Sequence, residues 1–388
     1  MGTALFPNVK EGHLSRADGS RVLLEASRMD AFIAALRDAG YSVIGPRIGQ
    51  AAVVYGEVSA AADLPAGVED EQAGGHYRLK RRDDGALFGY SVAPQGWKRW
   101  LYPPRQTLFS ATRAGGGFRV SKGDEVAGRY AFLGVRACEL AAIKIQDRVF
   151  DNGDFKEPGY LTRRRDALVV AVACGRSCGT CFCVSMGGGP KPGDGFDLML
   201  TELTGPGRHV FVVESGSEKG AAILAGLALP VASAEDVAAA DEAPREAARQ
   251  QTKAMDPQAR DILARNREHP RWDDVAKRCL TCGNCTMVCP TCFCTTVDDV
   301  TDLGGTRTER VRSWDSCFTL DFSYIHGGSV RNEGSSRYRQ WITHKLSSWH
   351  DQFGTSGCVG CGRCVTWCPV GIDITEEVGA IRASEEGR

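Results

Sequence analysis

The chain lacks the marks of most catalytic classes. No G-x-G-x-x-G follows a strand-like segment, so no dinucleotide-binding fold is recognisable. The glycine runs Gly115-Gly116-Gly117 and Gly187-Gly188-Gly189-Pro190 read as turns. The seven histidines are scattered, with no H-E-x-x-H and no paired spacing. His326 and His344 read as structural or solvent-facing. Net charge is −1, so there is no basic field to attract nucleic acid or an anionic membrane. The longest apolar stretch, residues 221–232, is too short to span a bilayer, and no membrane insertion is expected. The start, Met1-Gly-Thr-Ala-Leu-Phe6, has no basic n-region, no long apolar core and no twin arginine. Phe6 does not fit a myristoylation pattern.

What the chain has is cysteine, sixteen of them. Two runs near the C-terminus stand out. One is Cys279-Leu-Thr-Cys282-Gly-Asn-Cys285-Thr-Met-Val-Cys289-Pro290, the other Cys358-Val-Gly-Cys361-Gly-Arg-Cys364-Val-Thr-Trp-Cys368-Pro369. Both read C-x2-C-x2-C-x3-C-P, the bacterial ferredoxin spacing for [4Fe–4S] clusters. Three thiolates on one tight loop reach three irons of one cubane, and the fourth cysteine, before a proline, turns to the other cluster. Cluster one is expected to take Cys279, Cys282, Cys285 and Cys368. Cluster two is expected to take Cys358, Cys361, Cys364 and Cys289. Structural zinc sites also use C-x2-C pairs, but two complete four-cysteine runs with the trailing proline are hard to place there. Four thiolates around such a core leave about −2 per cluster, so the assembled protein should be more acidic than its sequence. Cysteines committed to clusters must stay reduced, which implies a cytoplasmic location.

The length allows two or three domains. Residues 26–40 read as an amphipathic helix with Met29, Phe32, Ile33 and Leu36 on one side, stopped by Gly40. Strands are expected at 42–44, 51–58, 167–173, 198–203 and 209–213, with a helix over about 218–227. Interleaved strands and helices point to an α+β or α/β N-terminal domain over residues 1–235. Residues 236–269 read as a solvated helical linker, broken by Pro244 and Pro257. A mainly α-helical, ferredoxin-type domain with two [4Fe–4S] clusters follows over 270–388. Its two cysteine runs are separated by residues 290–357, far more than a minimal two-cluster ferredoxin needs. Within that insertion Trp341, Ile342, Leu346 and Trp349 fall near helical spacing and read as an apolar wall shielding the clusters. Arg337, Arg339 and Lys345 read equally well as charge compensation or as surface residues.

A second cysteine group lies in the N-terminal half: Cys138, and Cys174-Gly-Arg-Ser-Cys178-Gly-Thr-Cys181-Phe-Cys183 just after an expected strand. Gly175 and Gly179 would let several of these thiolates converge on a third [4Fe–4S] cluster. Thr-Cys-Phe-Cys recurs at 291–294, which leaves Cys292, Cys294 and Cys317 unassigned, one short of the usual ligand set.

The segments Gly134-Val-Arg-Ala-Cys-Glu-Leu140, Gly179-Thr-Cys-Phe-Cys-Val-Ser-Met-Gly-Gly-Gly-Pro190 and Cys285-Thr-Met-Val-Cys-Pro-Thr-Cys-Phe-Cys294 resemble the iron–sulfur beta subunit of cytosolic NAD(P)-linked [NiFe] hydrogenases, the sulfhydrogenases. Trp314-Asp-Ser-Cys317 and Arg337-Tyr-Arg-Gln-Trp-Ile-Thr-His-Lys345 extend the likeness, which runs from about residue 27 to 375. The A subunit of anaerobic sulfite reductase is similar. The resemblance implies an electron-transfer subunit, not itself catalytic, between a flavin subunit that handles NAD(P)H and the small subunit of a [NiFe] hydrogenase, which leads to the large one. It also implies Cys138, Cys174, Cys181 and Cys183 as the third-cluster ligands, with Cys178 as the alternative. Ala137 stands where the family has proline, which puts the local turn in question. Two other readings remain: a subunit of a sulfite or heterodisulfide-type reductase, and a structural or redox-sensing cluster protein.

Overall fold

The computed structural model describes residues 21–124 and 128–387. The opening segment read above for a leader, and residues 1–20 of the expected N-terminal domain, lie outside the described residues. The N-terminal half is α/β. Its sheet has seven strands, in spatial order Val22–Glu25, Arg208–Ser215, Leu198–Gly205, Leu168–Val172, Tyr130–Val135, Ser42–Gly49 and Ala52–Glu57. The four central strands pair in parallel. The outer pairings are antiparallel. Leu168–Val172 is buried throughout, which explains its unbroken apolar run: a central parallel strand is covered on both faces.

The amphipathic helix forms as Met29–Asp38 after a single 3-10 turn, with Met29, Phe32, Ile33 and Leu36 buried. Gly40, at φ +84°, takes the left-handed conformation that ends it. Ala137–Phe150 and Pro158–Asp166 cross from Tyr130–Val135 to Leu168–Val172, a crossover that sets the cysteine-bearing strand ends side by side.

The connector departs from expectation. Ala234–Arg249 is one helix that runs through Pro244. Its Ala240, Pro244 and Ala247 are buried on one face, which packs on strands Leu198–Gly205 and Arg208–Ser215. Tertiary burial outweighs the hydrogen bond that proline forfeits. The segment is therefore a packed helix and not a solvated spacer. The break at Pro257 is present, ahead of Ala259–Arg265.

The expectation of a mainly helical C-terminal region misses a β-hairpin, Thr295–Thr301 with Arg307–Trp314. That hairpin pairs with Arg105–Ala114, itself paired with Gly117–Lys122, to make a four-stranded sheet from both halves of the chain. Around the cysteine runs a second core gathers Ile262, Trp272, Phe318, Tyr338, Trp341, Leu346 and Ile381. The insertion supplies Gly334–Thr343, then a π-helical turn His344–Ser348, then Trp349–Phe353. No helix among the described residues is long and apolar enough to cross a membrane.

Because Arg307–Trp314 takes one of its two neighbours from Arg105–Ala114, a fragment of residues 270–388 is expected to lose amide protection along 307–314 in hydrogen exchange. Full-length protection in the fragment would show that the shared sheet is dispensable.

Candidate metal centres

The two C-terminal cysteine runs fold alike. The residue before each second cysteine is left-handed, Thr281 at φ +51° and Gly360 at φ +67°. The residue after it is left-handed too, Gly283 and Gly362, both at φ +75°. These glycines open the short helices Asn284–Met287 and Arg363–Thr366, which carry Cys285 and Cys364. The paired reversals wrap three thiols around one side of a cavity. At Gly360 and Gly362 a Cβ would also collide with the carbonyl oxygens of Phe182 and Thr180.

One cavity is lined by Cys279, Cys282, Cys285 and Cys368, together with Phe318, Tyr338, Trp341 and Ile372. A second is lined by Cys358, Cys361, Cys364 and Cys289, together with Phe182, Thr291, Lys345 and Arg363. Each run thus turns its last cysteine toward the other run's cavity. Cys364 lines both cavities, so they share a wall. Among the described residues no three His, Cys, Asp or Glu side chains converge as a single metal ion needs. The thiols ring a space instead.

The donors around these cavities fit a [4Fe–4S] cluster. Burial, and then neighbouring thiols, push Cys285 and Cys364 far above the ordinary thiol range. Burial pushes Cys358 up to about 12. Bare thiolates are disfavoured there, and a cationic iron core supplies the missing charge. Tyr338 Oη and Trp341 Nε1, on residues lining the first cavity, are buried donors without a partner among the described residues. Backbone N–H groups already reach sulfur, from Thr281 to Cys279 at 3.4 Å, from Gly360 to Cys358 at 3.4 Å and from Ile372 to Cys368 at 3.3 Å. Such contacts stabilise negative sulfur and raise cluster potentials.

The π-helical turn aims Lys345 inward. Its Nζ donates to Cys289 Sγ at 3.3 Å, to Thr291 Oγ1 at 3.1 Å and to the Gly357 carbonyl at 3.2 Å. A hydrogen bond from Cys292 and the Lys345 charge hold the Cys289 thiol well below its usual range. Arg337 acts on Cys279 electrostatically, whereas Arg339 bonds Glu268 and the Arg267 carbonyl at the surface. Trp341, Ile342, Leu346 and Trp349 are all buried. His326 is exposed, and His344 packs on Trp349 and bonds Gln352.

The N-terminal cysteines also gather. Cys138 sits in the first turn of Ala137–Phe150, and Cys174 follows Leu168–Val172. Both lie at the carboxyl ends of neighbouring parallel strands, the usual ligand side of an α/β sheet. Cys138 is within electrostatic reach of Cys181, Cys183 and Cys361, and Cys174 of Cys178 and Cys183. Cys178 Sγ lies 3.2 Å from Cys181 Sγ, a contact that lowers Cys178 to about 6. Burial raises Cys183 to about 11. The Ala137 departure leaves the turn intact. Ala137 is the first helical residue, where proline or alanine serves, and the Glu139 carboxylate accepts the Arg136 N–H at 3.0 Å.

This group docks directly on the second run. Phe182 N–H donates to the Gly360 carbonyl at 2.9 Å, and the Thr180 and Thr366 hydroxyls pair at 2.8 Å. Behind them Arg363, between Cys361 and Cys364, pairs with Glu139, beside Cys138. Their side chains are 0% and 1% exposed. Glu139 also accepts from Trp97 Nε1 at 2.9 Å and from the Tyr55 hydroxyl, while Arg363 Nε donates to the Ala93 carbonyl at 2.7 Å. Sequence reasoning singled out every cysteine here but missed Arg363 and Glu139. Arg363 had a signal, a charge inside a tight ligand loop.

A family model described as a 4Fe-4S dicluster domain matches residues 278–372. The sulfhydrogenase 2 subunit beta of Pyrococcus furiosus is 30% identical over 294 residues, which cover 74% of this chain and 84% of that protein. No solved structure matches.

Removing one member of a buried ion pair strands the other. Arg363→Met should destabilise the anaerobically purified chain by on the order of 3–5 kcal/mol, and adding Glu139→Gln should recover much of it. Denaturant unfolding of the single and double variants measures both. A single-variant loss under about 1 kcal/mol would show the pair to be incidental.

Proposed function

We propose that this chain, which belongs to the family of sulfhydrogenase beta subunits, relays electrons between a flavin subunit that handles NAD(P)H and the small subunit of a [NiFe] hydrogenase. The observation that carries the reading is the contiguity of three sulfur groups. The N-terminal group touches the second run's loop, and that loop's cavity shares Cys364 with the first. In this reading Cys279, Cys282, Cys285 and Cys368 hold one [4Fe–4S] cluster, and Cys358, Cys361, Cys364 and Cys289 hold another. Cys138, Cys174, Cys181 and Cys183 hold a third, with Cys178 beside it. Each cluster, when bound, supplies reversible one-electron chemistry. The turnover chemistry belongs to the partner subunits, and the location is cytoplasmic.

The chain's own residues then set position and potential. The left-handed loop residues fix the thiols, Trp341 and Trp349 exclude water, and Lys345 and Arg363 place positive charge beside sulfur, which favours the reduced, more negative state. Electrons have an outlet where the first run meets solvent: Cys282 is exposed, and Leu280 beside it is 61% exposed. The likeness to a sulfhydrogenase subunit favours this assignment over a sulfite reductase.

Crossed ligation has a simple test. Cys285→Ser should alter one [4Fe–4S] EPR signal, and Cys289→Ser a different one. If both substitutions removed the same signal, the assignment would be wrong. At the outlet, Leu280→Glu should leave all cluster signals intact yet slow electron delivery to the partner several-fold in stopped-flow reduction. An unchanged rate would put the outlet elsewhere.

A further inference from the structure

One cavity belongs to none of the sulfur groups. It encloses about 500 Å³ between two walls. One wall is the end of the helix Ala259–Arg265 with the residues that follow it, and the other is the insertion's Gly334–Thr343 with its π-helical turn. The helix Gly334–Thr343 gives the cavity Ser336, Arg339, Gln340 and Thr343, spaced i, i+3, i+4 and i+7 along one face. Its Tyr338 and Trp341 line the first cluster cavity instead. A surface helix normally gives its polar stripe to bulk water. Here that stripe walls a cavity.

The charge in this lining is one-sided. Arg267, Arg331 and Arg339 stand against a single carboxylate, Glu268, whose side chain is 88% exposed at the rim. Two of the guanidinium groups are held in place with donors to spare. Arg339 spends Nη1 on the Arg267 carbonyl at 2.6 Å and on Glu268 at 3.1 Å. Arg331 spends Nη2 on Gln340 Oε1 at 3.3 Å. A guanidinium carries five N–H donors in a fixed fork, so both keep donors for an anion.

Leu263, Ala264 and Val330 close the same space with apolar surface, and Val330 is 58% exposed. The π-helical turn completes the lining with Ser347 and Ser348, while it sends Lys345 to Cys289. Turns of this kind recur at functional sites. The volume, the apolar wall and the convergent polar groups are those of a small-molecule pocket. Guanidinium forks suit phosphate, whose oxygens they bind two at a time.

We propose that this cavity binds a small molecule through a di- or triphosphate group, with Arg267, Arg331 and Arg339 on the phosphates and Leu263 and Val330 against its organic part. The site stands apart from every cysteine set and does not depend on the electron-relay reading. The test uses the full-length chain, purified without oxygen. Titration calorimetry with inorganic pyrophosphate and with ADP should show one saturable site per chain, with ADP the tighter. Combining Arg267→Gln with Arg331→Gln should weaken both by about tenfold or more, while every cluster EPR signal persists. Neither residue is buried, and Arg339 keeps its brace on the Arg267 carbonyl. In the unaltered chain ADP should slow hydrogen exchange over residues 263–268 and 334–348, a readout that needs no variant. Absence of saturable heat with both probes would overturn the proposal. So would binding that the double variant leaves unchanged, or exchange protection confined to other segments.

Discussion

The buried pair of Arg363 and Glu139 is the joint on which the molecule turns. One partner belongs to a ligand loop of the C-terminal region, and the other to the first turn of an N-terminal helix that carries Cys138. Both are fully dehydrated, so neither loop can leave the other without stranding a charge. Trp97, Tyr55, Ala93 and the Arg136 backbone add hydrogen bonds to the pair, and among the described residues only Arg363 Nη1 of its buried guanidinium is left without a partner. Those bonds are what make such burial tolerable. The consequence is geometric: it fixes Cys361 beside Cys138 and Cys183.

A wider charge pattern follows the same logic. The net charge of −1 conceals an interior in which Arg136, Arg363 and Lys345 are all buried and all lie among cysteines. Arg136 is spread over the carbonyls of Phe88 and Tyr90 and sits near Cys174. Each cation is placed where a clustered group of thiolates would otherwise accumulate negative charge. Positive charge that stabilises the reduced form is thus distributed along the line of sulfur groups.

Much of the candidate site was legible in the sequence, because its cysteines lie on short loops where spacing alone limits what three thiols can reach. The parallel strand Leu168–Val172 and the helix Met29–Asp38 were legible for a similar reason, each carrying its burial pattern locally. What was hidden is non-local. Arg363 and Glu139 are 224 residues apart, and no periodicity links them. Arg105–Ala114 finds its neighbour in Arg307–Trp314, and half-exposed strands of mixed polarity give a weak signal. Pro244 was misread because a propensity rule met a buried helix face. Lys345 was ambiguous until the π-helical turn around it showed which way it points.

The central claim is that the N-terminal sulfur group and the two C-terminal groups form one continuous line. The most direct measurement is EPR of the fully reduced, full-length chain, beside variants that each lack one group. Centres packed as the loops are packed here should be magnetically coupled, so the fully reduced spectrum should be broadened and split. Deleting the middle group, Cys358 and Cys361 with it, should leave the outer signals sharp and separate. A wild-type spectrum equal to the plain sum of isolated signals would contradict the account.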